Sequence, residues 1–449
     1  MLSIDPSQIL SKLNFLAWRR SFRRTIRFIA VHDKILLAIL AIIIVISGGF
    51  WYRQFSSNNS DSPTVGGTYV EGIIFDQDKK ELNQITARLT KAGLLSFSTE
   101  GQLVGQLAEK WTVNVEKSEY RFALEDGIDR DEIIATLNER DDIIGQAEIR
   151  AESDRDVVIQ LTSSNPSFPL LMTRPLFDYG PYKLSKANDQ TTVFTRSTKK
   201  KAVIAYLNKI IIHTYKDEKD LLKALRNNRL DGAVTTTGSD SQTPKKFQSY
   251  RIDLNRYYAV LFNANKTPFR DDVLRKALVA SPTVPPTQFT LTAADQEPYK
   301  SLASEVVTKW QERGAKVELR VKPLQEVTGS IGPARDFQAL LIGIDYGMEM
   351  DPYYLWHSSQ VRATGNNITG VNNPTIDGLV DKTRVDLNVS ERQKSLDELQ
   401  QTLIDQNIML PIERESFNYY LSNKIKFVQP FLPVSAADRF LSVPLWSVK

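Results

Sequence analysis

The chain has 449 residues, room for two or three domains, and its 41% hydrophobic and 24% charged residues are the balance of a folded protein. It contains no cysteine, which excludes disulfides, thiolate metal sites and lipid attachment to an N-terminal cysteine. The net charge of +4 is uneven: residues 1–60 hold eight Lys/Arg against two Asp, and the remainder holds 49 against 51, which argues against a nucleic-acid-binding body.

The tail accounts for its own charge. Residues 35–52 carry no charged side chain and 35–46 are apolar throughout, enough for a helix of about 27 Å at ~1.5 Å per residue, close to a bilayer core of about 30 Å. Trp51 and Tyr52 suit an interfacial belt, and Arg19, Arg20, Arg23, Arg24, Arg27 and Lys34 precede the span. This pattern predicts a signal anchor at 35–52, a cytoplasmic basic segment at 1–34 and an extracellular or periplasmic body. Trp18, Phe22, Ile26 and Ile29 predict a helix lying on the inner leaflet. The alternatives are a leader cleaved near Ser47-Gly48-Gly49 and a buried soluble helix. Residues 53–66, rich in Ser and Asn, read as a linker.

The body begins with a predicted strand at 67–73. Residues 94–97 and 101–104 predict a hairpin, and 108–111 lead into a strand alternating at Tyr120, Phe122 and Leu124. A helix is predicted over 131–140, strands over 156–161 and after Gly180-Pro181, then strand 210–212, helix 218–228 and strand 232–234, a βαβ unit. Further on come strand 257–263, a helix that residues 268–272 lead into and that runs through Leu278, strand 289–291, and a helix with Tyr299, Leu302, Val306 and Trp310 on one face. Val317, Leu319 and Val321 alternate with charges as a strand wet on one face. Ser390 with Gln393 predicts a capping box ahead of Leu396, Leu399 and Leu403. The class is α/β, with two α/β blocks and a β-rich insertion.

Residues 337–344 form an apolar run expected to be a strand buried on both faces. It opens into Asp345, Tyr346, Asp351, Tyr353, Tyr354, Trp356 and His357, then Asn372 and Asn373. Aromatics, amides and carboxylates after a buried strand suit a ligand crevice, and the same aromatics also suit a core. Asp345 and Asp351 read either as the paired carboxylates of an exported hydrolase or as one loop-ordering group and one partner for a cationic ligand. Lys199, Lys200 and Lys201 read as an anion site or a solvated turn. His32, His213 and His357 are scattered, without metal-ligand spacing, and no nucleophile elbow or phosphate loop is present. A binder without cofactor or metal, rather than an enzyme, is the expectation.

From Gly66 onward a series of motifs runs in order: Gly66-Gly67-Thr68-Tyr69, Leu107-Ala108-Glu109-Lys110-Trp111, Tyr120-Arg121-Phe122, Gly180-Pro181-Tyr182-Lys183 and Leu230-Asp231-Gly232. Phe262-Asn263, Leu274-Arg275-Lys276-Ala277-Leu278, Asp351-Pro352 with Trp356-His357-Ser358-Ser359-Gln360, Asn373-Pro374 and Leu410-Pro411-Ile412 follow. In this order they resemble the family 5 extracellular solute-binding proteins, the oligopeptide- and dipeptide-binding components of ABC importers. The resemblance implies a two-lobed periplasmic-binding-protein-like fold (class II). Lobe I would span 67–262 with the β-rich insertion, lobe II 263–421, and 422–449 would return to lobe I. It implies a peptide or other small solute held between closing lobes and handed to ABC permease subunits, with Asp345, Tyr346, Asp351, Tyr353, Tyr354, Trp356, His357, Asn372 and Asn373 as candidate ligand contacts. The sequence departs from the family where an amine-binding aspartate usually stands: that position is Met348.

Overall fold

Most of the body's apolar runs join one ten-stranded sheet, and the Tyr120/Phe122/Leu124 run joins a separate four-stranded one, in the computed structural model, which describes residues 65–98, 100–235, 245–362, 365–427 and 434–448. The expected span at 35–52 and the segment before it lie outside the described residues. No helix among the described residues is long and apolar enough to cross a membrane.

Across the sheet the order is Lys316–Lys322, Gln288–Ala294, Ala339–Asp345, Phe247–Phe262, Met409–Ser422, Gly232–Thr235, Thr68–Ile74, Lys209–Tyr215, Thr191–Arg196 and Tyr182–Ala187. The apolar run at 337–344 becomes the strand Ala339–Asp345. Its successive side chains alternate between two cores, Leu340 and Ile344 on one face and Ala339 and Leu341 on the other. That is the doubly buried strand its composition predicts. The expected βαβ unit also forms, with one difference: Thr68–Ile74 lies between its two strands, parallel to both. Its helix, Glu218–Arg226, begins where the Asp217 carboxylate accepts from the Asp220 N–H at 2.9 Å and buries Leu221, Ala224 and Leu225. Each such buried leucine contributes about 1.5–3 kcal/mol.

One strand is much longer than the 257–263 expected, and its long neighbour matches no expected strand. Phe247–Phe262 and Met409–Ser422 run antiparallel to each other, and their register shifts between Asp253 and Tyr257 and again between Tyr258 and Ala259. Before this break, Ile252 and Leu254 pack with Tyr69, Tyr419, Phe440 and Trp446. Beyond it, Tyr257, Ala259 and Leu261 join a core with Trp356 and Leu399, and Tyr258 and Val260 one with Phe269 and Trp310. One sheet thus carries separate hydrophobic cores on either side of an irregular seam.

The β-rich insertion is a four-stranded antiparallel sheet in the order Ala108–Val113, Glu119–Leu124, Asp156–Gln160, Glu148–Ala151. The helix Arg130–Asn138, capped by Asp129, buries Ile133 and Leu137 in its core. The helix Val389–Asp405 starts earlier than its Ser390/Gln393 pattern predicts. Asn388 is the cap, its side-chain oxygen accepting from the Glu391 N–H at 3.0 Å. Near the C-terminus the 3-10 helix Ala436–Leu445 carries Phe440 and Val443 into the same core as Tyr69 and Ile73.

Candidate functional site

The seam in the two long strands opens a cavity of about 760 Å³, within the ~300–1,000 Å³ range of small-molecule sites. Leu254 and Arg256 of one long strand and Glu415, Ser416 and Phe417 of the other form part of its wall. Ile73, Ile74 and Asp345, at the ends of their strands, and Met348 just beyond complete that side. Further lining comes from the helix Lys80–Thr90 through Lys80, Glu81, Gln84 and Arg88, from Lys91, from Arg140, Arg174 and Pro175, and from Val434, Ser435 and Ala436. A smaller cavity of about 120 Å³ adjoins it, sharing Arg88, Lys91, Pro175 and Met348.

Most of the cations around the cavity are held by acids. Arg88 donates through Nε to Asp438 Oδ1 at 2.7 Å, and Asp438 is fully buried, its other oxygen accepting the Ser435 and Val434 N–H groups at 2.8 and 2.9 Å. Arg140 grips both oxygens of Asp142 at 2.8 Å, and this hydrogen-bonded pairing lowers the Asp142 pKa. Lys91 meets Asp178 at 3.2 Å and the Leu176 carbonyl at 3.2 Å. Arg174 pairs with Glu349 at 2.8 Å. On the strand side, Arg256 bridges Asp345 at 2.8 Å and Glu415 at 3.5 Å. Burial works against its charge, but the hydrogen bond to Asp345 and the charges of Asp345 and Glu415 together outweigh it and raise the guanidinium pKa.

A wholly buried cluster supports the helix that lines the cavity. Glu71 accepts from Arg439, from Tyr419 Oη at 3.1 Å and from Tyr69 Oη, and Arg439 also reaches Glu81 at 3.1 Å. Burial pushes Glu71 up and pulls Arg439 down, yet the Glu71 and Glu81 carboxylates prevail and leave Arg439 above the ordinary guanidinium range. Asp438 and Arg439, adjacent in the chain, therefore fix Arg88 and Glu81 on the same helix.

Of the nine candidate residues named from sequence, Asp345 lines the cavity; the others are placed elsewhere. Trp356 is 1% exposed and donates to Tyr346 Oη at 2.8 Å, and Tyr346 in turn meets Tyr257 Oη at 3.0 Å. Burial pushes the Tyr346 hydroxyl up to about 12. Asp351 pairs with Arg384 at 3.0 Å, and Arg384 stacks over the Tyr353 ring at 4.1 Å. Tyr353 Oη meets Ser359 Oγ at 2.9 Å, and His357 caps the short 3-10 turn Ser358–Val361 by accepting from the Ser359 N–H at 3.1 Å. Tyr354 is 51% exposed, and Asn372 is exposed. Asn373 caps Pro374–Val385, accepting from the Thr375 N–H at 2.8 Å. Asp345 lines the cavity and pairs with Arg256, whereas Asp351 pairs with Arg384 and is not part of the cavity wall. Lys199 pairs with Glu132 at 2.8 Å and covers the Tyr179 ring at 3.7 Å, which answers the lysine run with an acid and an aromatic face rather than a ligand site. Among the described residues no group of three acidic or histidine side chains is placed to hold a metal ion.

Sequence reasoning missed Arg88, Lys91, Arg140, Arg174, Arg256 and Glu415. These residues lie on the helix Lys80–Thr90, on two loops and mid-strand, and no motif links them. Met348, noted as a departure from the family pattern, lines both cavities.

Residues 138–281 match the family described as bacterial extracellular solute-binding proteins, family 5 middle. No curated protein matches the chain. Several solved structures share its fold. HbpA2 from Haemophilus parasuis is 13% identical with a TM-score of 0.67, over 85% of this chain and 100% of that one. The oligopeptide-binding protein AppA from Bacillus subtilis, solved with a nonapeptide, is 12% identical with a TM-score of 0.57, over 86% and 100%. NikZ from Campylobacter jejuni, solved with Ni(L-His), is 16% identical with a TM-score of 0.55, over 85% and 99%. The body therefore has the fold of these binding proteins and, across residues 138–281, the signature of solute-binding family 5, the resemblance its motifs predict.

Proposed function

We propose that this chain is the solute-receiving component of an ABC importer, holding a peptide or another small polar solute in the cavity at the seam and presenting it to permease subunits. The observation that carries this reading is the cavity itself: about 760 Å³, bounded by strand ends and by the middle of two strands that run between separate cores. Such strands act as a hinge, because a register shift concentrates bending where few ladder bonds resist it. The halves on either side are the lobes of this proposal, 67–262 with 422–449 and 263–421. A solute bound between them favours the closed arrangement by its differential affinity for it. Residues 35–52 would anchor the body to the outer face of the cell membrane, keeping it near the permease. AppA was solved with a peptide and NikZ with a nickel–histidine complex, so the fold takes either kind of guest. A non-peptide solute is favoured by one observation: Met348 stands where the family's amine-binding carboxylate is expected, and it lines the cavity.

The test is native mass spectrometry of the full chain extracted in mild detergent. A retained small molecule, released on unfolding and raising the unfolding temperature when added back, is the expected result. A chain that retains nothing and is stabilised by no peptide or organic-acid mixture would contradict the reading.

A further inference from the structure

We infer that the solute carries a carboxylate- or phosphate-type oxyanion and that Arg88, Lys91, Arg140 and Arg174 receive it; this rests on the binding function proposed above. The cavity wall holds six cationic side chains, Lys80, Arg88, Lys91, Arg140, Arg174 and Arg256, against three carboxylates, Glu81, Asp345 and Glu415. The carboxylates are already engaged. Glu81 meets Arg439, while Asp345 and Glu415 share Arg256.

The cations have partners too, but pairing does not exhaust a guanidinium, which offers five N–H donors. Arg140 commits Nε and Nη2 to Asp142. Arg88 commits the same two nitrogens to Asp438. In both, Nη1 has no acceptor among the described residues. Arg174 gives Nη2 to Glu349 and its Nη1 has no acceptor among the described residues, while its Nε is buried without a partner and out of a solute's reach. Asp438 is itself locked by two backbone N–H groups, so Arg88 is oriented before any ligand arrives. Pre-oriented guanidinium forks match the two-oxygen edge of a carboxylate or phosphate. The same wall offers an ammonium less: Met348 presents a thioether, and each lining carboxylate already has a guanidinium partner, Asp345 and Glu415 sharing Arg256 and Glu81 meeting Arg439.

The experiment uses the full chain in detergent, first as purified and then stripped by reversible unfolding. Succinate and inorganic phosphate serve as probes, each competed against the retained solute, and cadaverine is the cationic control. Arg88→Gln and Arg140→Gln are the test variants, with the exposed Lys223→Gln as reference. The expected result is a retained solute bearing an acidic group, competed by succinate or phosphate but not cadaverine. Its affinity should fall about tenfold or more in each arginine variant and hold in Lys223→Gln, as loss of a charge-assisted hydrogen bond implies. The more effective of the two competitors distinguishes carboxylate from phosphate. Arg140 is held by an exposed carboxylate, so its variant keeps the test decisive should Arg88→Gln fail to fold. A retained solute without an acidic group, or one bound equally by both arginine variants, overturns the inference and leaves the binding function standing. Retention of nothing and stabilisation by no probe overturns both.

Discussion

Two regions of this protein have the same raw materials, aromatic rings and charged side chains, and use them for opposite ends. Around the loop from Asp351 to Asn373, polar groups find their partners close by: Trp356 with Tyr346, Asp351 with Arg384, Tyr353 with Ser359, and Ser358 with Asp377, whose carboxylate accepts the Ser358 hydroxyl at 2.5 Å. In the wall formed by Arg88, Arg140 and Arg174, each guanidinium is fixed by one acid and keeps N–H groups unused. A region whose hydrogen bonds close on themselves is scaffold, because a ligand could gain contacts there only by breaking others. One with donors held in place and left over is ready to bind.

The largest effect expected from breaking this contrast is at the buried cluster beneath the wall. Glu71→Ala leaves Arg439 buried beside only the partly exposed Glu81, and should cost about 3–5 kcal/mol in urea unfolding. Trp356→Ala comes next: it empties a fully buried site in the second core and should cost about 3–5 kcal/mol by cavity formation, with solute affinity per folded molecule unchanged. Asp438→Asn keeps the side-chain volume but weakens the hold on Arg88. Calorimetric titration of the retained solute should show a several-fold loss, larger than any change from substitution of Asp351. Smallest is Tyr354→Ala, at an exposed ring, with a stability change within about 0.5 kcal/mol and no change in binding.

The scaffold was the more legible region because it is written in local pattern. The apolar run ending at Asp345, the Leu221/Leu225 helix face and the Tyr120/Phe122/Leu124 alternation each declare their element through side-chain period alone. The helix Lys80–Thr90 buries only Ile85 and Leu89, too sparse an apolar stripe to stand out, yet it carries Arg88. The first half of Phe247–Phe262 is interleaved with polar residues such as Gln248, Arg251 and Asp253, which hid how far the strand continues. Of the candidate site, Asp345 and the substitution at Met348 could be read, since both lie in the stretch that the family motifs bracket. The arginines could not. Arg88, Arg140 and Arg174 reach one cavity wall from segments far apart in the chain, and such a meeting of distant segments leaves no periodic trace.

Solute is proposed to bind at the arginine wall and not in the aromatic loop. Calorimetric titration of the retained solute into stripped full-length wild type, Arg140→Gln and Tyr353→Phe tests it most directly. The prediction is a loss of about tenfold for Arg140→Gln and wild-type affinity for Tyr353→Phe. The reverse pattern, with Arg140→Gln unaffected and Tyr353→Phe weakened, would contradict it.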